Sequence, residues 1–339
     1  MIEKKYWAIS ASEGDERDFS EIFFDFGIAC LGGKNQKEIA KKVNAGDLLV
    51  LKKSRGDGTF LIQAIGRIIK AFSLNSSFDD VEGWNLDFVA EVEWYASGTD
   101  APVEGLKQGT IFSINKDSPK QIAENILAQG NRIIQKNKLS NLPNIKFLEQ
   151  EKLLSFLIQN GLSSTYAENL SSAINRVKRL ALYYNDILDK NDYRKEHLPT
   201  EDETRAFLVL PLLFSLGWSE QRIRLEIKTD KGGEVDIALY KKPHELGDSI
   251  APYAIIEVKR LTKGLERAKK QVMNYFECYP SCKRCIVTNG FSYKVWERGK
   301  PDFTAYLNIT KMLDGYRFKG GVGGAQEVFR ALLPPEYSE

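Results

Sequence analysis

Glu257 and Lys259 stand two residues apart in Tyr253-Ala-Ile-Ile-Glu-Val-Lys-Arg260, where Ala254, Ile255, Ile256 and Val258 read as a central β-strand. Side chains alternate along a strand, so the two charges share a face. A carboxylate or an ammonium taken out of water is costly unless it is paired, hydrogen-bonded or bound to metal. An isolated Glu-x-Lys is most simply a structural ion pair at a strand end. Asp236 complicates that account, because it too lies inside an apolar strand, between Val235 and Ile237 of the stretch Glu234–Tyr240.

Other reactive side chains are sparse. Two histidines, His197 and His244, leave little basis for triad hydrolysis or His-rich metal chemistry. Four cysteines in 339 residues do not form a disulfide framework. The spacing of Cys278, Cys282 and Cys285 invites a zinc reading, yet Cys30 is distant and both histidines lie upstream, so no fourth ligand is evident. Cys285 also opens the apolar run Cys-Ile-Val and reads more simply as a core strand residue.

The elements that must position these residues follow Pro199. Thr200 caps a helix with an acidic first turn, carrying Phe207, Leu208, Leu210, Leu212, Leu213 and Leu216, and Gly217 ends it. Strands are expected over Ile223–Ile227, Glu234–Tyr240 and the Glu257 stretch, then a helix over Leu265–Phe276. Cys285–Thr288 and a last strand, Tyr293–Trp296, close the series, and a short helix runs to Leu333.

Helix, three strands, helix, strand, with Asp236 and Glu257-x-Lys259 on adjacent strands, resembles the PD-(D/E)xK nucleases, and in particular the nuclease domain at the N-terminus of type I restriction R subunits. The residues carrying the resemblance are Glu203-Thr-Arg205, Leu210-Pro-Leu-Leu213, Leu216-Gly-Trp218, Val235-Asp-Ile237, Ile256-Glu-Val-Lys-Arg260, Gln271 and Thr288-Asn-Gly290. No proline precedes Asp236. The resemblance implies Mg2+, with Mn2+ as a substitute, held by Asp236, Glu257 and the carbonyl of Val258, with Glu203 as an additional acidic ligand. It gives Lys259 the attacking water or the transition state, and Gln271 the positioning of the lysine or a phosphate.

The first third reads as strands and short helices: Tyr6–Ala11, a helix to Phe26, Ile28–Leu31, a helix over Gln36–Val43, Leu48–Leu51, Phe60–Ile69 broken by Gly66, Phe88–Tyr95 and Thr110–Ile114. That is a small β-barrel-like α+β domain. Its order resembles the PUA/EVE-like superfamily, on Tyr6-Trp7-Ala-Ile-Ser10, Gly32-Gly-Lys-Asn35, Ala45–Ser54 and Ile65-Gly-Arg-Ile68. Such domains read nucleic acid, some through a flipped modified base, which implies a base pocket around Trp7, Ser10, Ser54 and Trp84. Many relatives carry a tryptophan next to the glycine turn, where this chain has Leu31-Gly-Gly33, so an aromatic cage would draw on Trp7, Trp84 or Trp94. Each of these tryptophans can equally be core. From Ser118 the pattern turns helical, over Gln121–Ile134, again after Pro143, and in a long helix opening at Ser163 or Ser164.

The expected architecture is multidomain, α+β and α/β: a PUA/EVE-like β-barrel over 1–117, a helical connector over 118–199, a restriction-endonuclease-like α/β/α domain over 200–315 and a tail over 316–339. The net charge is only +2, yet Ile255–Lys300 carries 11 Lys and Arg against 4 acidic residues. A local surplus of that kind suits a polyanion, with Arg205, Arg260, Lys263, Arg267 and Lys270 as the expected contacts. The glycine cluster near residue 320 lacks the Lys-Ser/Thr of a P-loop, and no other nucleotide-triphosphate motif is found. Neither a signal peptide nor a membrane-spanning run is evident, so a cytoplasmic protein is expected. The leading expectation is a Mg2+-dependent DNA endonuclease of restriction or phage-defence type, working as a homodimer and choosing its DNA by a modified base. An RNA-cleaving nuclease and a non-catalytic nucleic-acid-binding protein on the same fold stay open beside it.

Overall fold

A computed structural model describes residues 4–13, 17–55, 57–96, 98–107, 109–189, 198–243, 251–261, 265 and 268–338. The chain is mixed α and β and divides into two compact units, Met1–Pro143 and Asn144–Glu339. Among the described residues no helix is long and apolar enough to cross a membrane.

The first unit is built on a six-stranded sheet. In chain order its elements are β1 (Tyr6–Ser10), a small hairpin of β2 (Ser12–Glu13) and β3 (Arg17–Asp18), α1 (Ser20–Phe26), β4 (Ile28–Leu31), α2 (Lys34–Ala40), β5 (Leu48–Ser54), β6 (Phe60–Leu74), β7 (Phe88–Ala96), β8 (Ile111–Ser113) and α3 (Asp117–Gln129). The sheet runs β4-β7-β6-β5-β1-β8, with β1 and β5 parallel and every other pair antiparallel. Gly66 does not break β6, contrary to expectation. It pairs with Trp94, and a Cβ there would meet the Trp94 ring at 2.8 Å, so its small size lets the indole lie across the strand. Trp94 is core, its indole N–H donating to Ile28 O at 2.9 Å and its ring stacked on Phe23. Ala8, Val50, Ile62, Ile65, Phe112 and Ile114 form the other apolar face, covered by Ala123 and Ile126 of α3.

The third helix begins and ends earlier than its apolar period suggests. Pro119 fits inside the first turn, where its missing N–H has no intrahelical partner in any case. Gly130, at φ +70°, ends the helix, and the chain then runs back along β7, with Ile133 N donating to Trp94 O.

The second unit holds α4 (Gln150–Gln159), α5 (Ser164–Asp189), α6 (Glu201–Thr204), α7 (Leu210–Ser215), β9 (Ile223–Lys228), β10 (Glu234–Leu239), β11 (Ala254–Val258), α8 (Lys269–Cys278), β12 (Arg284–Thr288), β13 (Ser292–Glu297), β14 (Ala305–Asn308), α9 (Ala325–Leu332) and α10 (Pro335–Ser338). Its sheet runs β14-β13-β12-β11-β10-β9, parallel only between β11 and β12. The strand β14 was not expected; it extends the sheet beyond β13. The segment 118–199 is divided between the units, α3 lying in the first and α4 and α5 in the second. Leu153, Leu157, Leu170 and Ile174 share one core with Leu212, Leu213, Val328, Phe329 and Leu332.

Between α6 and α7 the helix widens into a π turn over Arg205–Val209. Pro211 follows it, a residue with no N–H and a ring that collides with the carbonyl four residues back. The wider turn absorbs that conflict. It also changes which side chains face inward: Leu208 and Val209 are buried, whereas Phe207, expected on the apolar face, is 56% exposed.

Candidate active site

Strand β11 is buried along its whole length, because the sheet is covered on both faces. Ile237 of β10 pairs with Ile256, which brings Asp236 beside Glu257, both on the face that α8 covers. Past that pair the Val258 N–H donates to Asp236 Oδ2 at 2.6 Å, while Lys259 N donates to Thr288 O at 2.7 Å. The backbone thus turns toward β12 while one amide fixes the Asp236 carboxylate.

Glu257 is only 4% exposed and has its oxygens occupied from three sides. The Lys259 ammonium is ion-paired with Oε1. Gln271 Nε2 donates to the same oxygen at 2.5 Å, and the Tyr275 hydroxyl lies 2.6 Å from Oε2. Tyr275 also accepts from Gln271 at 2.9 Å and lies 2.8 Å from Glu234 O. Burial, followed by the Glu257 charge, pushes the Tyr275 phenol far up, so it stays a donor. Burial and then the Glu257 charge push Asp236 up to about 6, against the opposing effects of Val258 N–H, Lys259 and Arg205. A cavity of about 120 Å³ lies alongside, lined by Thr229, Lys231, Gly232, Gly233, Glu234, Gln271, Asn274, Tyr275 and Cys278.

The turn after β12 seats the first helix. Asn289 Oδ1 accepts from the N–H groups of Phe291 and Ser292, and Gly290 adopts φ +85°. A Cβ on Gly290 would come within 2.5 Å of Leu208 Cδ1, so the turn lies directly under the helix.

Asp236, Glu257, Val258, Lys259 and Gln271 come together. Glu203 is engaged in a helix cap: its carboxylate accepts from Thr200 N at 2.8 Å while Thr200 Oγ1 accepts from Glu203 N. That cap holds the exposed carboxyl below its usual range. Among the described residues no group of three or more acidic, His or Cys side chains is gathered for a metal. Arg205 is ion-paired with Asp202 and Glu226, and Arg260 and Lys270 are exposed. Lys263 and Arg267 lie outside the described residues.

In the first unit, Trp7 is buried and donates to Asp47 Oδ2 at 2.9 Å, on the opposite side of β1 from Ser10. Ser10, Ser54 and Trp84 are partly exposed, with Trp84 in the turn bridged to Val81. The residue that sequence reading missed is Tyr275. Its signal was present, because a residue four places after Gln271 on a helix must share its face.

A profile of the family described as Type I restriction enzyme R protein N terminus (HSDR_N) matches residues 200–309. That stretch contains every residue gathered around Glu257 and supports a restriction-enzyme-like relationship. No curated protein matches the chain.

Proposed function

We propose that this chain is a metal-dependent endonuclease of restriction type, hydrolysing phosphodiester bonds in DNA with Asp236, Glu257 and Lys259 at the reacting centre. One observation carries the reading: two carboxylates stand side by side on neighbouring strands, in a stretch matched by a restriction-enzyme profile, and one of them bears an ammonium. Burial first, and then the Glu257 charge, raise Asp236, and the two carboxylates here stand beside the one ammonium of Lys259.

The donor set fits Mg2+, a hard cation that binds through one or two carboxylates and completes its shell with water and substrate phosphate. Each carboxylate oxygen has two lone pairs. After the hydrogen bonds above, Glu257 Oε2 and the Asp236 carboxylate keep acceptor capacity, and the Val258 carbonyl is the third candidate donor. Bound there, the ion would polarise the phosphate and make a water nucleophilic.

The protein's own part is positioning. Gln271 and Tyr275 fix the plane of the Glu257 carboxylate. Lys259 has three N–H donors, one engaged by Glu257, leaving two for a phosphate oxygen or for the attacking water. A fixed cation at that point stabilises charge as it develops on the phosphate. The exposed Arg260 and Lys270 supply positive potential near the site. In this reading the first unit selects the DNA in the manner of PUA/EVE-like readers, by a modified base, and two copies of the chain cut the two strands.

A substrate panel tests the assignment: purified chain with Mg2+ on plain DNA, DNA with modified cytosine, and RNA. Cleavage confined to DNA supports the reading; cleavage of RNA alone transfers the same site to an RNA-cleaving enzyme.

A further inference from the structure

Lys52 is a cation buried in the first unit, 3% exposed, near the end of β5. Among the described residues its ammonium has neither a hydrogen bond nor an ion pair; its recorded neighbours are the rings of Phe60, at 4.2 Å from the centroid, and Phe112, at 5.7 Å. Phenylalanine faces give a cation a weak attraction, far short of what water supplied. Burial accordingly pushes Lys52 down to about 8, which still leaves it charged at neutral pH.

A second cation approaches the same place. Lys107, exposed and likewise without an ion pair among the described residues, stands 5.2 Å from the Phe112 centroid. Both ammonium groups therefore lie within 6 Å of the centroid of one ring, and among the described residues neither has an ion pair. Ser10 pairs with Lys52 across β1 and β5, which puts its side chain on the same face, and Ser54 follows two residues on; both are partly exposed. A buried charge with no partner costs stability, and strongly perturbed ionisable groups cluster at binding and catalytic sites.

We propose that Lys52 and Lys107 form an oxyanion site in the first unit that takes a phosphate monoester, carried by a free nucleotide or by the 5′ end of a nucleic-acid strand. Two cations beside one ring match the charge of a monoester, close to −2 at neutral pH, better than the single charge of a phosphodiester or a carboxylate. The site is independent of the nuclease reading, since none of its residues belongs to the second unit.

The test uses the full chain in EDTA, which suspends any metal-dependent cleavage. Calorimetry measures binding of inorganic phosphate, a nucleoside 5′-monophosphate, and one oligonucleotide with and without its 5′-phosphate. The expected result is binding of monoester probes, weakened roughly tenfold or more in Lys52→Met and kept in Lys52→Arg. A preference for the phosphorylated oligonucleotide over the mononucleotide identifies a strand end as the source; the reverse identifies a free nucleotide. Ligand-free Lys52→Met is expected to melt at a higher temperature than the parent, because an unpaired buried charge has gone. Should Lys52→Met not fold, Lys107→Met at an exposed position must by itself weaken phosphate binding. The proposal is overturned if no monoester binds the parent chain, or if binding is unchanged in the variants.

Discussion

Gln271 and Tyr275, one helical turn apart on α8, hold opposite oxygens of the Glu257 carboxylate, at 2.5 and 2.6 Å. The carboxylate therefore cannot rotate to follow Lys259, its ion-pair partner. In the proposed mechanism Glu257 stays fixed and holds one N–H of Lys259, while the other two N–H groups of the ammonium serve the substrate.

Tyr275→Phe removes the donor to Oε2 and the acceptor for Gln271. Groups that orient a metal-binding carboxylate are typically worth about 10–100-fold in metal affinity or activity. A loss of that size is expected in both Mn2+ affinity by calorimetry and cleavage rate, with the fold retained. An unchanged metal affinity would remove Tyr275 from the site.

Asp236 gives the metal-free protein a pH dependence of definite sign. Its folded pKa, about 6, lies above the ordinary 3.8, so the folded state binds the proton more tightly. Its contribution is then most favourable below the unfolded value and is lost as pH rises through about 6. The full effect is at most about 3 kcal/mol, lessened by solvent screening. Asp236→Asn, which can still accept from Val258 N–H, is expected to be more stable than the parent in EDTA at pH 7 and to lose cleavage. Denaturant titrations at pH 4 and pH 7 check the slope.

Gly290→Ala places a methyl group against Leu208 at a backbone angle that L-residues rarely adopt. Strain and overpacking together predict a loss of about 2–6 kcal/mol, since each costs about 1–3 kcal/mol. Thermal or urea unfolding measures it.

Trp7 tests the base-pocket expectation. The Asp47 carboxylate accepts from Trp7 Nε1 and from the N–H groups of Lys5 and Asn44, which fits a structural tie between strands. Trp7→Phe leaves one of these bonds unmade and is expected to cost about 1–3 kcal/mol of stability. DNA binding, measured by anisotropy well below the melting temperature, is expected to stay at the parent level.

What could be read from the sequence depended on how far a residue departed from its surroundings. Asp236, Glu257 and Lys259 were visible as charges inside apolar strands, and Gln271 was found through the resemblance. Tyr275 was not, because a tyrosine on the buried face of a helix looks like ordinary core until its hydroxyl partner is known. Glu203 shows the converse: an acidic residue three places after a threonine serves a helix cap or a metal equally well, and only the cap is seen in the structure. The π turn before Pro211 has no periodic signature, and β14, four residues beyond a Gly-Lys-Pro stretch, is too short for alternation to speak. Lys52 did not stand out within the Ala45–Ser54 stretch; that it has no ion pair among the described residues is a property of the folded sheet.

The most direct measurement is cleavage of plasmid DNA by the parent chain and by Lys259→Ala, each with Mg2+ and with EDTA. Lys259→Ala leaves the carboxylate pair in place, and Gln271 and Tyr275 still hold Glu257. The parent with Mg2+ alone is expected to give nicked and linear DNA, and Lys259→Ala to cleave about 10²-fold or more slowly. Equal cleavage by parent and variant, or cleavage that persists in EDTA, would contradict the proposed mechanism.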